Sequence, residues 1–443
     1  MNNIITRFAP SPTGLFHFGS ARTALFNYLF AKKNNGKFIL RVEDTDPARS
    51  KDKYTEDIFT GMEWLRLKQD GKVTYQSQRK EVYEKYIKQL LEKELAYKKD
   101  GAIWFDLIKC QQLITKTDNI EFDDLILGKI KFKIDQFHDF VLIKSDGMPL
   151  YMFAATVDDH DMGVTHIIRG ADHVNSTPQQ IMLYQALGFD VPQFGHMPLI
   201  LNTDKSKMSK RKNPVSVTQY FMQNGYLSEA MINYLALLGW SPKNNQEFFS
   251  LSELEKIFDI KNVNKSPAVF DINKLNYFNN YYIRNNSNHD LFEKIKSLDK
   301  YDHQIDMDNN QEIIEKILEV IKPRMQKLTE FDELSNFFFI LPNYDAEMLV
   351  FKKSDKDTTK KGLEKVLDTI EKIADSNWNI MENLNQILLD IVNKNNFTNG
   401  DIFWPTRVAL SGMDKSPSPV EMLWVLGKEE SMKRIKLAID KLN

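Results

Sequence analysis

The first 45 residues constrain the fold of this chain more than any other part of its sequence. An apolar run at 4–8 (IITRF) is followed by a turn-rich segment, a stretch with helical apolar spacing at 21–33, and a β-branched run at 37–43. This order predicts a strand, a loop, a helix and a second strand. Strands joined by a helical crossover run parallel, so the segment indicates one half of a doubly wound α/β sheet.

The rest of the sequence divides into three parts. A charged amphipathic stretch at 78–96 predicts a helix, and short apolar runs separated by polar turns at 97–144 indicate an insertion. The first pattern resumes near 147–169, where THIIR predicts another buried strand, and long helical periods follow from about residue 276. We therefore predict a Rossmann-type parallel-sheet α/β domain with an inserted α+β domain, followed by a mostly α-helical half.

The composition excludes several classes of protein. Over 443 residues, 59 Lys and Arg against 61 Asp and Glu give a net charge of -2, so any nucleic-acid surface must be local. The single cysteine, Cys110, can form neither an internal disulfide nor a thiolate cage, which favours a reducing, cytoplasmic location. No run approaches the ~20 apolar residues of a membrane span, and the N-terminus lacks the pattern of a secretory signal.

The loop between the first predicted strand and helix is typical of a nucleotide-binding turn. In PSPTGLFHFGS, Pro10 and Pro12 stiffen the chain, while Gly14 and Gly19 allow the backbone to approach a ligand. His17 offers a donor for phosphate or ribose, and the amino end of the following helix adds positive potential. The alternative for His17, which has apolar neighbours, is a core histidine without a ligand.

A second candidate is the lysine-rich run KSKMSKRK at 205–212. Most such runs are solvated surface, and that alternative applies here too. Two lysines around Met208 and Ser209 would also suit a loop that closes on a polyphosphate and neutralises the charge of departing pyrophosphate.

These two candidate motifs occur together in one known enzyme class. HFGS at 17–20 resembles the HIGH signature, and KMSKR at 207–211 resembles the KMSKS signature, of class I aminoacyl-tRNA synthetases. Within that class RFAPSPTG, ARTALFN and RVEDTDPARS resemble bacterial-type glutamyl-tRNA synthetases, as do WPTRVALSG and LGKEESMKRI near the C-terminus. The likeness therefore extends from one end of the chain to the other.

The resemblance implies both a domain layout and an activity. It implies a Rossmann catalytic domain in two halves (1–77 and 146–195), an inserted acceptor-binding domain (78–145), a stem-contact region with the KMSKR loop (196–290) and an α-helical anticodon-binding domain (291–443). The implied reaction converts L-glutamate and ATP to glutamyl-adenylate and then transfers the glutamyl group to tRNA. Mg2+ is expected to accompany ATP.

Glutamate carries two carboxylates and an ammonium group, so a selective site needs at least two buried cations and one carboxylate. The resemblance assigns six residues to this site: Arg7, Ala9, Ser11, Glu43, Tyr151 and Arg169. Glu43 would accept the ammonium group, and the arginines would bind carboxylates through their planar forks. Without the resemblance, Glu43 and Arg169 could each form an ordinary strand-end ion pair.

The resemblance also assigns the ATP site. The catalytic residues are His17, Lys207 and Lys210, and the ATP-binding residues are Gly14, His17, Gly19, Ser20, Met208, Ser209, Lys210 and Arg211. No protein nucleophile is needed, since the substrate carboxylate and the tRNA hydroxyl attack directly. A protein-bound metal is not predicted, because Asp158 and Asp159 are adjacent on a regular element and point in different directions.

The sequence departs from the family pattern at three places. Many bacterial members have clustered zinc-binding cysteines in the inserted domain, where this chain reads YKKDGAIWFD, so no structural zinc is expected. Ala171 replaces the carboxylate of the common GEDH motif, and KNPVSV follows KMSKR in place of a glycine-containing turn. The direction in which these changes act on the ATP loop or on tRNA coupling stays open.

The expected partners are L-glutamate and tRNA(Glu), and a monomer is expected. A non-discriminating or tRNA(Gln)-directed enzyme that supplies an amidotransferase stays open as an alternative. In the helical half, Trp404, Arg407 and 428–436 are candidate RNA contacts, with a packed core position as the alternative for Trp404.

Three other classes fit the sequence less well. A glutamyl transferase acting on a modified base lacks the helical half, and a glutaminyl-tRNA synthetase has PEPNG where this chain has PSPTG. An inactive RNA-binding paralogue would have lost the pair His17 and Lys210 or the pair Arg7 and Arg169, and all four residues are present.

Overall fold

The computed structural model describes residues 4–206, 216–298, 310–374 and 378–443. The chain forms two compact units, Met1–Phe278 and Asn279–Asn443, each with its own buried core. No helix in the described ranges is both long enough and apolar enough to cross a membrane.

The first unit contains the β-structure of the described chain. Its strands are β1 (Ile5–Phe8), β2 (Lys37–Val42), β3 (Thr74–Tyr75), β4 (Ala96–Lys99), β5 (Ala102–Phe105), β6 (Asn119–Asp124), β7 (Gly128–Lys133), β8 (Phe140–Ile143), β9 (His166–Gly170), β10 (Gln193–Met197), β11 (Ile200–Leu201) and β12 (Ala268–Val269). Five of them form one parallel sheet in the order β10-β9-β1-β2-β3. The strands predicted from IITRF, KFILRVE and THIIR correspond to β1, β2 and β9 within one residue at each end.

The chain builds this sheet outward from β1 in both directions. β1 pairs with β2 on one side, with Arg7 opposite Ile39, and with β9 on the other side. The connections therefore diverge beside β1, and a crevice forms beyond the carboxyl ends of the strands at this switch point. The predicted doubly wound α/β fold is confirmed.

Most helices of the first unit lie in the connections between these strands, and the last one follows β12. They are α1 (Phe18–Lys33), α2 (Asp52–Trp64), α3 (Lys80–Glu92), α4 (Leu107–Cys110), α5 (Tyr151–Asp161), α6 (Thr177–Leu187), α7 (Ser228–Leu237), α8 (Leu251–Ile257) and α9 (Ile272–Arg284), whose end extends beyond Phe278. The predicted start of the first helix at Ala21 is wrong by three residues, because the His17 side chain caps the backbone N–H of Ser20 and the helix begins at Phe18.

The inserted segment is fixed against the parallel sheet. β4, β5 and β8 form an antiparallel sheet, and β6 and β7 form a hairpin. Leu90 and Phe105 lie in the same apolar cluster as Phe153 of α5, so the insertion shares a core with the catalytic fold. In the hairpin turn, the N–H of Leu125 donates to the carbonyl of Phe194 in β10 over 2.8 Å.

The described part of the second unit is helical, as predicted. Its helices are α10 (Asn288–Lys296), α11 (Gln311–Ile321), α12 (Phe331–Phe339), α13 (Lys356–Ile370), α14 (Met381–Lys394), α15 (Asn399–Ser411) and α16 (Pro419–Lys441). Helix α16 is interrupted at Gly427, whose φ of 73° and ψ of 175° are not helical. Only glycine adopts such a conformation readily, so this residue sets the position of the kink.

Candidate active site

A cavity of about 730 Å³ opens beyond the carboxyl ends of the parallel strands. Its lining includes all the described residues that the sequence assigned to glutamate or ATP: Arg7, Ala9, Ser11, Gly14, His17, Gly19, Ser20, Glu43, Tyr151 and Arg169. The other five assigned residues, Lys207, Met208, Ser209, Lys210 and Arg211, lie outside the described residues. The tertiary structure therefore brings the two predicted sites of the described chain to one cavity.

The order of the strands explains how the charged side chains meet. Arg7 belongs to β1, Glu43 directly follows β2, and Arg169 belongs to β9, so three neighbouring strands each contribute one charged group. The N–H of Glu43 donates to the carbonyl of Pro10 over 2.9 Å, which ties the loop after β1 to the end of β2. Tyr151, the first residue of α5, reaches the same cavity.

Asp159 links two arginines in a buried ion-pair network. Its Oδ1 accepts from Nε of Arg7 at 3.1 Å and from Nη1 of Arg41 at 2.5 Å. Arg41 also donates from Nη2 to Oε1 of Glu43 at 3.0 Å. Because Arg41 and Asp159 are 0% and 1% exposed, each charge depends on its partners rather than on water. The network holds Arg7 and Glu43 in fixed orientations at the cavity wall.

The network also sets the protonation of its carboxyl groups. Burial alone would raise the pKa of Asp159, but the guanidinium groups of Arg41 and Arg7 outweigh it and hold that pKa below its usual value. At Glu43 burial dominates and raises the pKa, although Arg41 opposes the shift. Asp159 is therefore the ionised counter-ion of the arginines, while Glu43 uses Oε1 for Arg41 and has Oε2 for a ligand.

Arg169 is buried, yet among the described residues its partners are neutral. Nε donates to Nε2 of His196 at 3.2 Å, Nη1 to the hydroxyl of Tyr151 at 3.3 Å, and Nη2 to the hydroxyl of Thr177 at 2.9 Å. Burial lowers the pKa of Arg169, because the opposing effects of Tyr151 and Asp159 do not make up for the lost hydration. A guanidinium has five N–H groups, so two remain for a ligand in the cavity.

The buried charges at this part of the cavity are unevenly paired. Three buried arginines, Arg7, Arg41 and Arg169, lie with three buried carboxylates, and Arg41 forms ion pairs with all three of them, Glu43, Asp158 and Asp159. A buried charge without a counter-ion is costly. The carboxylates are bound to Arg7 and Arg41, whereas Arg169 has neutral hydrogen-bond partners among the described residues, so the arrangement favours an anionic group of a ligand at Arg169.

Another part of the cavity wall surrounds the amino end of α1. Nδ1 of His17 accepts from the N–H of Ser20 at 3.3 Å, and a Cβ on Gly19 would approach the same imidazole to 3.3 Å. Because Nδ1 accepts, the neutral ring carries its proton on Nε2, which lies 3.1 Å from the hydroxyl oxygen of Ser20. A donor beside a helix amino end suits the binding of phosphate groups.

Asp57 connects the His17 loop to the chain that follows residue 215. One of its oxygens accepts from the N–H of Phe16 at 2.6 Å, and the other accepts from the hydroxyl of Thr218. The N–H of Val217 also donates to the carbonyl of Phe16 over 2.9 Å. The segment that begins at residue 216 is therefore anchored to the loop that carries His17.

Arg22 is a third buried arginine in the cavity lining. It donates from Nη1 to the carbonyl of Leu238 at 3.2 Å and from Nη2 to the carbonyl of Pro198. Burial lowers the pKa of Arg22 to about 10. Its contacts join helix α1 to the chain on both sides of residues 207–215.

Sequence reasoning did not single out Arg41, and it considered Asp159 only as half of a discounted metal pair. The sequence does contain a signal that points to Arg41. Arg41 and Glu43 are two residues apart at the end of a mainly apolar run, and this spacing places both side chains on one face of a strand. Asp158 and Asp159 have different hydrogen-bond partners, since Asp158 accepts from the Nε of Arg79 at 2.7 Å, but both form ion pairs with Arg41. In the described ranges no group of three or more His, Cys, Asp or Glu could hold a metal ion.

The candidate RNA contacts of the second unit differ in their surroundings. Nε1 of Trp404 donates to the carbonyl of Met348 at 2.9 Å, and the guanidinium of Arg407 lies 5.8 Å from the centre of the Trp404 ring. Arg434, within the predicted contact range 428–436, is 1% exposed. That arginine is part of the core, so its charge does not face an RNA phosphate.

Comparison with family models covers most of the chain. The model for the catalytic domain of class I tRNA synthetases (E and Q) matches residues 3–102 and 110–277. The model for an anticodon-binding domain matches residues 290–439.

Individual relatives match over nearly the whole of both chains. The glutamate-tRNA ligase of Aquifex aeolicus is 38% identical over 100% of each chain, and glutamate-tRNA ligase 2 of Thermoanaerobacter pseudethanolicus is 37% identical over 99% of this chain and 98% of its own. The crystal structure of a glutamate tRNA ligase from Elizabethkingia meningosepticum superposes with a TM-score of 0.84 at 29% identity, over 100% of each chain. The chain therefore belongs to the class I tRNA synthetases of the E and Q group.

Proposed function

We propose that this protein is a glutamate-tRNA ligase, which activates L-glutamate with ATP and transfers the glutamyl group to the 3'-terminal ribose of tRNA(Glu). The observation that carries the proposal is Arg169, a buried guanidinium at the cavity wall with neutral partners and two N–H groups to spare. The relatives named glutamate-tRNA ligases, and the neighbour solved in complex with its amino acid, support the same assignment.

The charged groups that line the site complement those of glutamate. The two carboxylates and one ammonium group of the free amino acid complement two arginines and one carboxylate of the cavity lining, Arg7, Arg169 and Glu43. Arg7, Tyr151 and Arg169 bind carboxylate oxygens, and Glu43 accepts the ammonium group. Ala9 and Ser11 line the same part of the cavity and complete its shape.

ATP binds beside the amino end of α1. Gly14, Gly19 and Ser20 lie against the nucleotide, and His17 donates to its phosphates. Lys207 and Lys210 close over the phosphates with Met208, Ser209 and Arg211. Magnesium enters with the nucleotide, where it offsets phosphate charge.

Each chemical step is a direct displacement. An α-carboxylate oxygen of glutamate attacks the α-phosphorus of ATP, an O–P bond forms, and the bond to pyrophosphate breaks with its electron pair leaving on pyrophosphate. The ribose hydroxyl of tRNA then attacks the glutamyl carbonyl carbon, and AMP leaves with the electron pair of the broken C–O bond. The protein positions the reactants and stabilises the developing charge, so neither step requires a nucleophilic side chain.

Discrimination against glutamine follows from the same charges. The neutral amide would leave a buried guanidinium without an anion, so we expect rejection by about 10⁴ or more. Aspartate is one methylene shorter, and the misplacement of its carboxylate, rather than apolar fit worth only about 1 to 3 kcal/mol, must exclude it.

The test is aminoacylation by the purified full chain with labelled amino acid, MgATP and separate transcripts of tRNA(Glu) and tRNA(Gln). Labelled glutamine and aspartate serve as matched controls. We expect glutamate on tRNA(Glu) and no detectable transfer of the two analogues. Efficient charging with glutamine would overturn the amino-acid assignment, and no charging of either tRNA would overturn the function.

The transcript of tRNA(Gln) tests the alternative specificity in the same experiment. Glutamate on tRNA(Gln) would place the enzyme in a route that requires a later amidation of the glutamyl group. By family likeness we also propose a monomer that works in the cytoplasm. Analytical ultracentrifugation of the full chain with and without tRNA would detect a dimer.

A further inference from the structure

A buried chain of hydrogen bonds leads from the inserted segment to Arg169. Oδ2 of Asp124 lies 2.6 Å from Nδ1 of His196, and Nε2 of His196 accepts from Nε of Arg169 at 3.2 Å. His196 is 0% exposed and Asp124 and Arg169 are each 5% exposed. Asp124 and His196 do not line the cavity; Arg169 does.

The geometry fixes the tautomer of His196. An arginine Nε can only donate, so the Nε2 that faces it must be an acceptor and carries no proton. The imidazole proton is then on Nδ1 and is donated to the Asp124 carboxylate. Burial lowers the pKa of His196 although the Asp124 hydrogen bond opposes the shift, which is consistent with a neutral ring.

Two different parts of the chain build this arrangement. His196 lies directly opposite Arg169 in the parallel register of β10 and β9. Asp124 ends β6, in the inserted hairpin, and also accepts from the N–H of Ile126 at 2.9 Å and of Leu127 at 2.8 Å. The same carboxylate therefore shapes the hairpin turn and orients the imidazole.

His196 and Thr177 together hold one edge of the guanidinium. Nε of Arg169 is engaged by the imidazole and Nη2 by the Thr177 hydroxyl. Nη1 donates to Tyr151, which is itself in the cavity lining. With one edge fixed, the remaining N–H groups of Nη1 and Nη2 have a defined direction for a carboxylate ligand.

We propose that Asp124 and His196 are positioning residues for glutamate recognition: the inserted hairpin sets the histidine tautomer, and the histidine orients Arg169 toward the substrate carboxylate. This inference rests on the proposed function, because it takes glutamate as the ligand of Arg169. Neither residue touches the substrate or ATP. Their loss acts on the binding of glutamate and not on the binding of ATP.

Two substitutions of His196 separate positioning from simple structural support. In His196→Asn, the amide nitrogen occupies the place of Nδ1 and keeps the donor to Asp124, but the acceptor for Nε of Arg169 is lost. In His196→Gln, the longer side chain places an amide oxygen near the position of Nε2, where it accepts from Arg169, and the donor to Asp124 is lost. A positioning role makes the first change harmful and the second mild, whereas a role in anchoring the hairpin reverses that order.

The measurement is aminoacylation of tRNA by the full chain, with glutamate and ATP titrated separately. We expect His196→Asn to raise the KM for glutamate about tenfold, because a hydrogen bond to a charged group is lost, with the KM for ATP unchanged. We expect His196→Gln to stay within about threefold of the unsubstituted protein. Equal KM values for glutamate in the two variants, or parallel changes in both substrates, would overturn the proposal.

Asp124→Asn provides an independent second test. The asparagine can still accept from the hairpin N–H groups, but its NH2 group favours the other histidine tautomer, which places an N–H against Nε of Arg169. We expect the KM for glutamate to rise about tenfold, while thermal unfolding and the KM for ATP stay near those of the unsubstituted protein. An unchanged KM for glutamate would overturn the inference, whereas failure of the unsubstituted protein to charge tRNA would overturn the proposed function instead.

Discussion

Two buried arginines, Arg169 in the first unit and Arg434 in the second, have different roles. Arg434 is 1% exposed and donates to the carbonyls of Phe337, Phe338 and Leu410 and to the Glu430 carboxylate. Arg169 is 5% exposed, but its partners are neutral side chains and it lines a cavity.

The difference shows that burial alone does not mark a binding arginine. Phe337 and Phe338 lie in the last turn of α12 and Leu410 in the last turn of α15, where carbonyls lack partners within the helix. Arg434 satisfies these carbonyls, so its hydrogen bonds are used to hold helices together. Arg169 has N–H groups without a hydrogen-bond partner among the described residues, and this unused capacity points to a ligand.

Removing the binding arginine should have the largest effect. We expect Arg169→Ala to lower kcat/KM for glutamate about 10³-fold, because the substrate carboxylate loses a buried charged partner. The exposed Arg66, which pairs with Glu229 at 2.6 Å, is the matched control, and Arg66→Ala should charge tRNA normally. A loss smaller than tenfold in Arg169→Ala would remove this residue from the glutamate site.

Removing the structural arginine should act on stability instead. We expect Arg434→Met to lower the free energy of unfolding by about 3 kcal/mol, because buried carbonyls lose their donors. Chemical denaturation measures the loss, and the KM for glutamate should be unchanged below the unfolding transition. Lys433→Met, on a side chain that is 70% exposed, should stay within about 0.5 kcal/mol. A raised KM for glutamate in Arg434→Met would break the contrast between the two arginines.

Lys210 is a third cation to compare with the two arginines, because we propose that it contacts the phosphates of ATP. Lys210→Ala should slow adenylate formation about 10²-fold, since a donor to the developing phosphate charge is lost. The affinity for tRNA should change by less than about threefold, as measured by filter binding. Lys205→Ala, at an exposed position of the same run, is the control. Equal losses of rate and of tRNA affinity would show that the loop is mainly an RNA contact.

Substitution of Asp57 should have the smallest effect. It tests whether the ATP and glutamate parts of the cavity are supported independently. Asp57→Asn weakens the link between the Phe16 N–H and the Thr218 hydroxyl. We expect adenylate formation to slow about fivefold with no change in the KM for glutamate, because about 1 kcal/mol of hydrogen bonding is lost. Glu56→Gln, at the exposed neighbouring position, is the control. A raised KM for glutamate would mean that the ATP and glutamate sites share this support.

Local pattern accounts for what the sequence predicted well. The βαβ order of the first 45 residues follows from apolar periodicity and turn residues, which depend on neighbours only a few positions apart. The predicted helix at 21–33 began too late because a histidine cap at His17 is not a common start signal. Arg434 lay in a predicted RNA-contact range because a charged residue in a basic helix is usually exposed.

The sequence by itself determined the fold class, the helical second half, the family and the residues that line one cavity, because these depend on local periodicity and on motifs. The tertiary structure decided which buried charged and polar side chains are paired with one another. Asp159 reaches Arg7 across 152 positions of the chain and Arg41 across 118, and Asp124 reaches His196 across 72. The state of a buried charge depends on which distant groups share its dry surroundings, and only folding brings those groups together.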